Sequence, residues 1–201
     1  MKKLAIIGSA FGGGAAQIID ALSGDTAYNE VIIFDQNPSA LGSTVMGVNV
    51  VDSSENILKW HKDGKFDCAV IAFGTPSERA KLFRALSQEG VNFVNVIDPT
   101  ANIRPTARLG FGNVILANVY IGPFVTIGDN NYIITSTTIN HHSSIASHCY
   151  LSSGCILAGR VKLGDEVRFD TASGAKGDVY VPAGTFVPAG QLLERIKTDE
   201  L

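Results

Sequence analysis

Cysteine is scarce in this chain. The three residues, Cys68, Cys149 and Cys155, are odd in number and lack CxxC spacing. That excludes a disulfide framework and a cysteine-built zinc site, and it leaves buried reduced thiols as the reading. A basic excess is also missing. Sixteen Lys and Arg stand against nineteen Asp and Glu, too few cations for phosphate-backbone binding, so nucleic acid is not an expected partner. Long apolar runs are absent as well. The opening MKKLAIIGSAFGGG has an apolar stretch of only about four residues before a Gly-rich turn, too short for a signal sequence or a membrane span. It reads as the buried first strand of a cytoplasmic protein with no membrane partner. With 201 residues and 45% hydrophobic composition, the chain can still bury a normal core as one large or two small domains.

Residues 1–97 alternate apolar runs (LAIIG, EVIIFD, DCAVIAFG, VNFVNVID) with helix-like stretches (AAQIIDAL, ENILKWHKDG, SERAKLFRALSQEG). Unbroken aliphatic runs suit parallel strands covered on both faces, and spacings of three and four between apolar residues suit the covering helices. This half is expected to be a small Rossmann-like parallel-sheet domain. Its first strand ends in GSAFGGGAAQ, where Gly8, Ser9, Gly12, Gly13 and Gly14 allow a tight turn whose N–H groups can approach a phosphate at a helix N-terminus. Asp35 ends the second strand, where an acid can accept hydrogen bonds from sugar hydroxyls. The strict G-x-G-x-x-G is not present, so a phosphate-binding turn and a purely structural turn both remain open on this segment.

Across residues 98–201 the period changes to six. A large apolar residue recurs at Ile103, Leu109, Ile115, Ile121, Ile127, Ile133, Ile139, Ile145, Leu151, Leu157, Leu163 and Phe169, and more weakly at Ala175, Val181, Val187 and Leu193. A slimmer residue sits two places before each, including Asn113, Asn131, Cys149 and Cys155. Six is neither the helical period nor a heptad. A parallel β-solenoid prism fits: each hexad supplies one short strand and a corner, and three hexads close a triangular coil of stacked aliphatics.

The Gly-rich turn with Asp35, the IDPTA junction, the hexapeptide array and the run TSTTINHHSSIASHCYLSSGCILAG together resemble the nucleotide-sugar N-acetyltransferases of the left-handed β-helix superfamily and the related sialic acid O-acetyltransferases. The resemblance implies a Rossmann-like domain holding a nucleotide-linked sugar, followed by a left-handed parallel β-helix. It further implies a homotrimer with acetyl-CoA, and no metal, lying between adjacent prisms. It places His141 at the catalytic histidine, at a prism corner where a neighbouring subunit can be met. Gly8, Ser9, Gly13 and Asp35 fall at the nucleotide-sugar site, and Ser152, Gly154 and Gly159 at the donor site. Transfer of acetyl from a thioester to an amine needs a base to take a proton from the attacking nitrogen, which histidine suits, and backbone N–H groups to stabilise the developing oxyanion.

The chain departs from the family where His142 stands in place of the usual acid after the histidine, so His142 is a second catalytic candidate, as partner or as base. Phe11 replaces a glycine in the phosphate turn, and the C-terminal VPAGTFVPAGQLL is atypical. His148, one hexad on, is a further candidate contact with the acetyl donor or the substrate, although the resemblance aligns the family's usual ligand nearer Tyr150. O-acetylation of a sugar such as a sialic acid, and a non-catalytic trimeric scaffold, stand as alternatives. A zinc hydratase on the same prism needs three converging imidazoles. One and two coils below His141 lie Pro123 and Pro105, and no histidine occurs between His61 and His141, which argues against zinc. An NAD-dependent reductase is disfavoured because no second catalytic domain follows the first half.

Overall fold

The computed structural model describes residues 2–8, 11 and 13–194. The N-terminal sheet holds four parallel strands, β1 (Lys2–Ile7), β2 (Tyr28–Phe34), β4 (Val48–Asp52) and β5 (Cys68–Ile71), in the order β4-β2-β1-β5. A two-residue strand, β3 (Thr44–Val45), pairs antiparallel with β4 and makes the sheet mixed. The expected parallel sheet is present, with this short antiparallel strand added at its edge. Met46 and Gly47, both at positive φ, turn the chain back on itself there, and a two-residue hairpin strand carries no hydrophobic period to read.

Leu4, Ala5, Ile6 and Ile7 are all fully buried, as a central strand covered on both faces requires. One face (Leu4, Ile6, Cys68, Val70) packs on α1 (Gly14–Ala21) and on Val114, Tyr132 and Ile134 of the second half. The other (Ala5, Ile7, Phe34, Ala69) packs on α2 (Ile57–Lys62) and α3 (Pro76–Gln88). The second half thus takes the place that helices usually occupy on one side of such a sheet.

That half is a left-handed parallel β-helix. Two-residue strands stack on three faces, and each pairs in register with the strand 18 residues on, as in Ile103↔Ile121↔Ile139↔Leu157↔Ala175↔Leu193. The ladder also reaches back one rung below the first hexad, to Val96–Ile97, which pairs with Val114–Ile115. The inward residues form one continuous core in which Cys149 and Cys155 are fully buried. All three cysteines are free, and burial pushes the Cys149 thiol up to about 12, so it is a packing residue and not a nucleophile. The polar slim positions are satisfied internally. Asn131 donates to Asn113 Oδ1 through its backbone N (2.9 Å) and its side chain (3.0 Å), and its own Oδ1 accepts the N–H of Cys149 at 2.8 Å.

Three residues past each inward position the chain turns a corner in the left-handed region. From Gly112 to Gly190 every sixth residue has φ between +54° and +71°. Most are not glycine; Phe124, Ser136, His142, His148, Arg160, Glu166 and Ala172 all sit there, each at about 1–2 kcal/mol of intrinsic cost. The stacked ladder offsets that cost, because corner N–H groups donate one coil down, to a carbonyl as His142 does to Pro123 and Arg160 to His141, or to a hydroxyl as Phe124 does to Thr106 Oγ1.

The two halves are joined by a buried arginine. The Arg79 guanidinium in α3 is 0% exposed. It donates to the carbonyls of Ile71 (2.9 Å) and Phe73 (2.8 Å) on its own side, and to Asn130 Oδ1 (2.8 Å) and O (3.1 Å) on the prism.

Candidate active site

His141 and His142 share one prism corner, between the strands Thr138–Ile139 and Ser144–Ile145, and both are exposed. Their Nδ1 atoms lie 3.1 Å apart. A single proton between them means that one ring donates and the other accepts. His142 is the better anchored: its backbone is at φ +59°, its N–H is held by Pro123, and its ring stacks on Phe124 one coil below, with centroids 5.0 Å apart. If His142 Nδ1 accepts, the lone pair of His141 is on Nε2, the form a base needs.

The repeat that places Pro123 below His141 places Gly159 above it. A Cβ on Gly159 would lie 2.5 Å from His141 Cε1 and 2.6 Å from Nε2. The imidazole therefore occupies the space that a side chain at 159 would fill, and any other residue would push it aside. Next along the corner, Arg160 and Asp178 form an ion pair, with Nη2 to Oδ2 at 2.9 Å. The hydrogen bond from Arg160 holds the Asp178 carboxyl below its usual range, and His141 adds to this electrostatically. Asp178 is thus the fixed acid near the imidazole in a chain whose next residue is His142, although Arg160 shares its charge.

Ser152 and Gly154 fall at the preceding corner. Ser152 is buried with its Oγ 3.1 Å from Thr171 Oγ1, and Gly154 turns with φ +70°. Within one protomer the fold brings together His141, His142 and Gly159 but not these two. Both corners bound the face carrying Thr138, Ile156 and Leu192, of which Ile156 and Leu192 are exposed.

Gly8 and Asp35 meet in a cleft of about 510 Å³ beyond the carboxyl ends of β1, β2, β4 and β5, closed on one side by Glu78, Lys81 and Leu82 of α3. The strand order reverses between β1 and β5, the crevice in which open α/β sheets bind ligands. Gly8 turns at φ +87°, with the Phe73 ring where a Cβ would be. Asp35 accepts the Asn37 N–H through Oδ1 at 2.8 Å. Gly13 caps α1 at φ +83° and does not line the cleft. Ser9 lies outside the described residues. Among the described residues no three His, Cys, Asp or Glu come together to hold a metal ion, and no helix is long and apolar enough to cross a membrane.

His148 is not at the surface. It is 5% exposed, packs on Phe83 of α3, and its Nδ1 takes the Asn130 side-chain amide at 3.0 Å. The expectation that it touches substrate fails because α3 covers that corner. Burial lowers its pKa, and the Arg84 and Arg79 cations lower it further against the opposing pull of Asp165 and Glu166. Above the unfolded value near 6.5 the ring is neutral in both states, and the stability of this contact is present in full. As pH falls through that value toward the lower folded one, the unfolded chain gains the proton first and stability is lost. His148→Gln, which keeps an acceptor and cannot titrate, is expected to flatten the fall in denaturation midpoint between pH 7.5 and 5. An unchanged slope contradicts this assignment.

Residues 3–86 match the family model of the PglD N-terminal domain. An acyl-(acyl-carrier-protein):UDP-N-acetylglucosamine O-acyltransferase of Xylella fastidiosa is 35% identical over 72 residues, 36% of this chain but only 27% of that relative's length. Over whole chains, PerB from Caulobacter crescentus, solved with CoA and GDP-perosamine, is 30% identical, with a TM-score of 0.85 over 95% of this chain and 88% of that one. A histidine-to-alanine variant of the Caulobacter crescentus GDP-perosamine N-acetyltransferase, in complex with the same two molecules, superposes at 0.86 with 29% identity and the same coverage. The acetyltransferase domain of PglB from Neisseria gonorrhoeae shares the fold at TM-score 0.90, over 99% of this chain and 94% of that one, with 22% identity. This chain belongs to the hexapeptide-repeat acyltransferases, among the acetyl-CoA-dependent sugar acetyltransferases with a PglD-type N-terminal domain.

Proposed function

We propose that the protein transfers acetyl from acetyl-CoA to the amino group of a nucleotide-linked amino sugar, with His141 as general base. The observation that carries this is the His141 imidazole lying on Gly159 at an exposed corner, tied at one nitrogen by His142. Acetyl-CoA supplies an activated acyl group. The chain supplies a fixed nitrogen that takes the proton of the attacking amine, and no acyl-enzyme is needed. His142 orients the ring through the contact between the two Nδ1 atoms. The nucleotide sits in the cleft, with its phosphate toward Gly8 and its ribose at Asp35.

The corner holding His141 lies on the prism and the cleft lies beyond the sheet, and prisms packed side by side would bring such a corner toward a neighbour's cleft. We therefore place the protein as a homotrimer. The donor then runs past Gly159 along the face bounded by the His141 corner and the Ser152–Gly154 corner, whose exposed Ile156 a neighbouring prism would cover. Three free, buried thiols suit the reducing cytoplasm.

Turnover with acetyl-CoA, measured against a panel of nucleotide-linked amino sugars and free sialic acid, tests the reading, with His141→Ala and His142→Ala run beside the wild type. Acetylation of an amino sugar supports it. Turnover of sialic acid alone moves the reaction to a hydroxyl, and loss of rate in His142→Ala but not in His141→Ala moves the base by one residue. Absence of turnover and of CoA binding leaves only a scaffold.

A further inference from the structure

Among the described residues two buried side-chain polar atoms have no hydrogen-bond partner, Ser54 Oγ and Arg168 Nε. The arginine side chain is 40% exposed, so water reaches its head. Ser54 is only 6% exposed, and it lines the cleft beside Asp35. Its neighbour Ser53 does the local capping, accepting the Glu55 N–H at 3.4 Å, so the turn makes no use of the Ser54 hydroxyl. A hydroxyl removed from water without a partner is unfavourable, and native chains hold few of them. A ligand in the cleft would complete this one.

Strand order fixes which part of the ligand that is. Gly8 follows β1, Asp35 follows β2, and Ser54 follows β4, three adjacent parallel strands. Two strand spacings cover about 10 Å, roughly the reach from a phosphate across a ribose to a base. With phosphate at Gly8 and ribose at Asp35, the next strand end meets the heterocycle. Leu82, across the cleft on α3, offers an apolar side chain to a flat ring. We propose that Ser54 Oγ hydrogen-bonds the polar edge of the nucleobase and contributes to base selectivity. This rests on the placement of a nucleotide in the cleft.

Calorimetric titration of UDP, GDP, ADP, CDP and inorganic pyrophosphate into the wild type, Ser54→Ala and Asp35→Asn tests it. Ser54→Ala is expected to weaken the tightest nucleoside diphosphate about three- to tenfold, to level the ranking among bases, and to leave pyrophosphate unchanged. Because the substitution removes an orphaned hydroxyl, the melting temperature without ligand is expected to hold or rise. Four results overturn the assignment. Two are unchanged affinity for every diphosphate while Asp35→Asn weakens them, which spares the nucleotide reading, and an equal loss for pyrophosphate. A third is a fall of several degrees in the unliganded melting temperature, which would make the hydroxyl structural. The fourth is a folded wild type that binds no diphosphate, which removes the nucleotide reading as well.

Discussion

His141→Ala is expected to lower kcat by about 10²- to 10⁴-fold, the range a positioned general base contributes, while the affinities for CoA and nucleotide change little. The separation follows from where the side chain lies. It is exposed at a corner, with its ring on the Gly159 backbone and one nitrogen against His142. The backbone carbonyl of His141, which accepts the Arg160 N–H at 2.9 Å, survives the substitution. No core packing is lost, so circular dichroism and melting temperature should match the wild type. A loss confined to KM would mean that the ring only holds substrate. A loss below about fivefold would remove it as the base, since proton transfer could then proceed without it. Gly159→Ala tests the same geometry from the other side. Its Cβ would lie 2.5 Å from the ring, so it should depress kcat while leaving the imidazole chemically intact.

The prism was legible because a period of six has one geometric solution. Ile103 through Phe169 all point inward, and the weaker Ala175, Val181 and Val187 continue the core. The resemblance, not the counting, singled out His141 and Gly159, and the repeat sets the two one coil apart at the same corner. The left-handed corners were not legible. Phe124, Arg160 and Glu166 do not advertise a positive φ, and only the ladder of bonds between coils holds them in it. Nor was the burial of His148, which depends on α3 folding back across the prism. Arg79 and Ser54 escape for a related reason. An arginine in an amphipathic helix and a serine in a polar turn look solvated until the distant Asn130, which the arginine bonds, and the cleft wall that the serine shares with Asp35 are in place.

Arg79→Ala is expected to cost about 3–5 kcal/mol of stability, toward the upper end of what point substitutions do. The sign needs care, because the residue is a cation with no carboxylate partner among its hydrogen bonds. Burial pushes it down to about 9, so at neutral pH it keeps its charge, and removing a buried charge by itself would be favourable. Against that stand the groups it leaves behind. The carbonyls of Ile71 and Phe73 lose a charged donor, and so do Asn130 O and Oδ1, inside a fully buried site. Each orphaned acceptor costs about 1–3 kcal/mol, and three or four of them outweigh the relieved desolvation even after partial rehydration. The face of the Tyr132 ring, 5.2 Å from the guanidinium, loses a cation–π contact as well. Arg79→Lys should recover only part of the loss, because one ammonium cannot reach both Phe73 O and Asn130 Oδ1 in the fork geometry of guanidinium. The consequence extends to the cleft. The residues just past β5 carry Phe73 against Gly8, and α3 beyond them carries Glu78, Lys81 and Leu82 along the cleft wall. Denaturant unfolding of Arg79→Ala should show the loss in midpoint, and nucleoside diphosphate titration of the fraction that stays folded should show weakened binding. Wild-type affinity in a destabilised variant would mean that the arginine joins the two halves without shaping the cleft, and unchanged stability would mean that the carbonyls find water in its place.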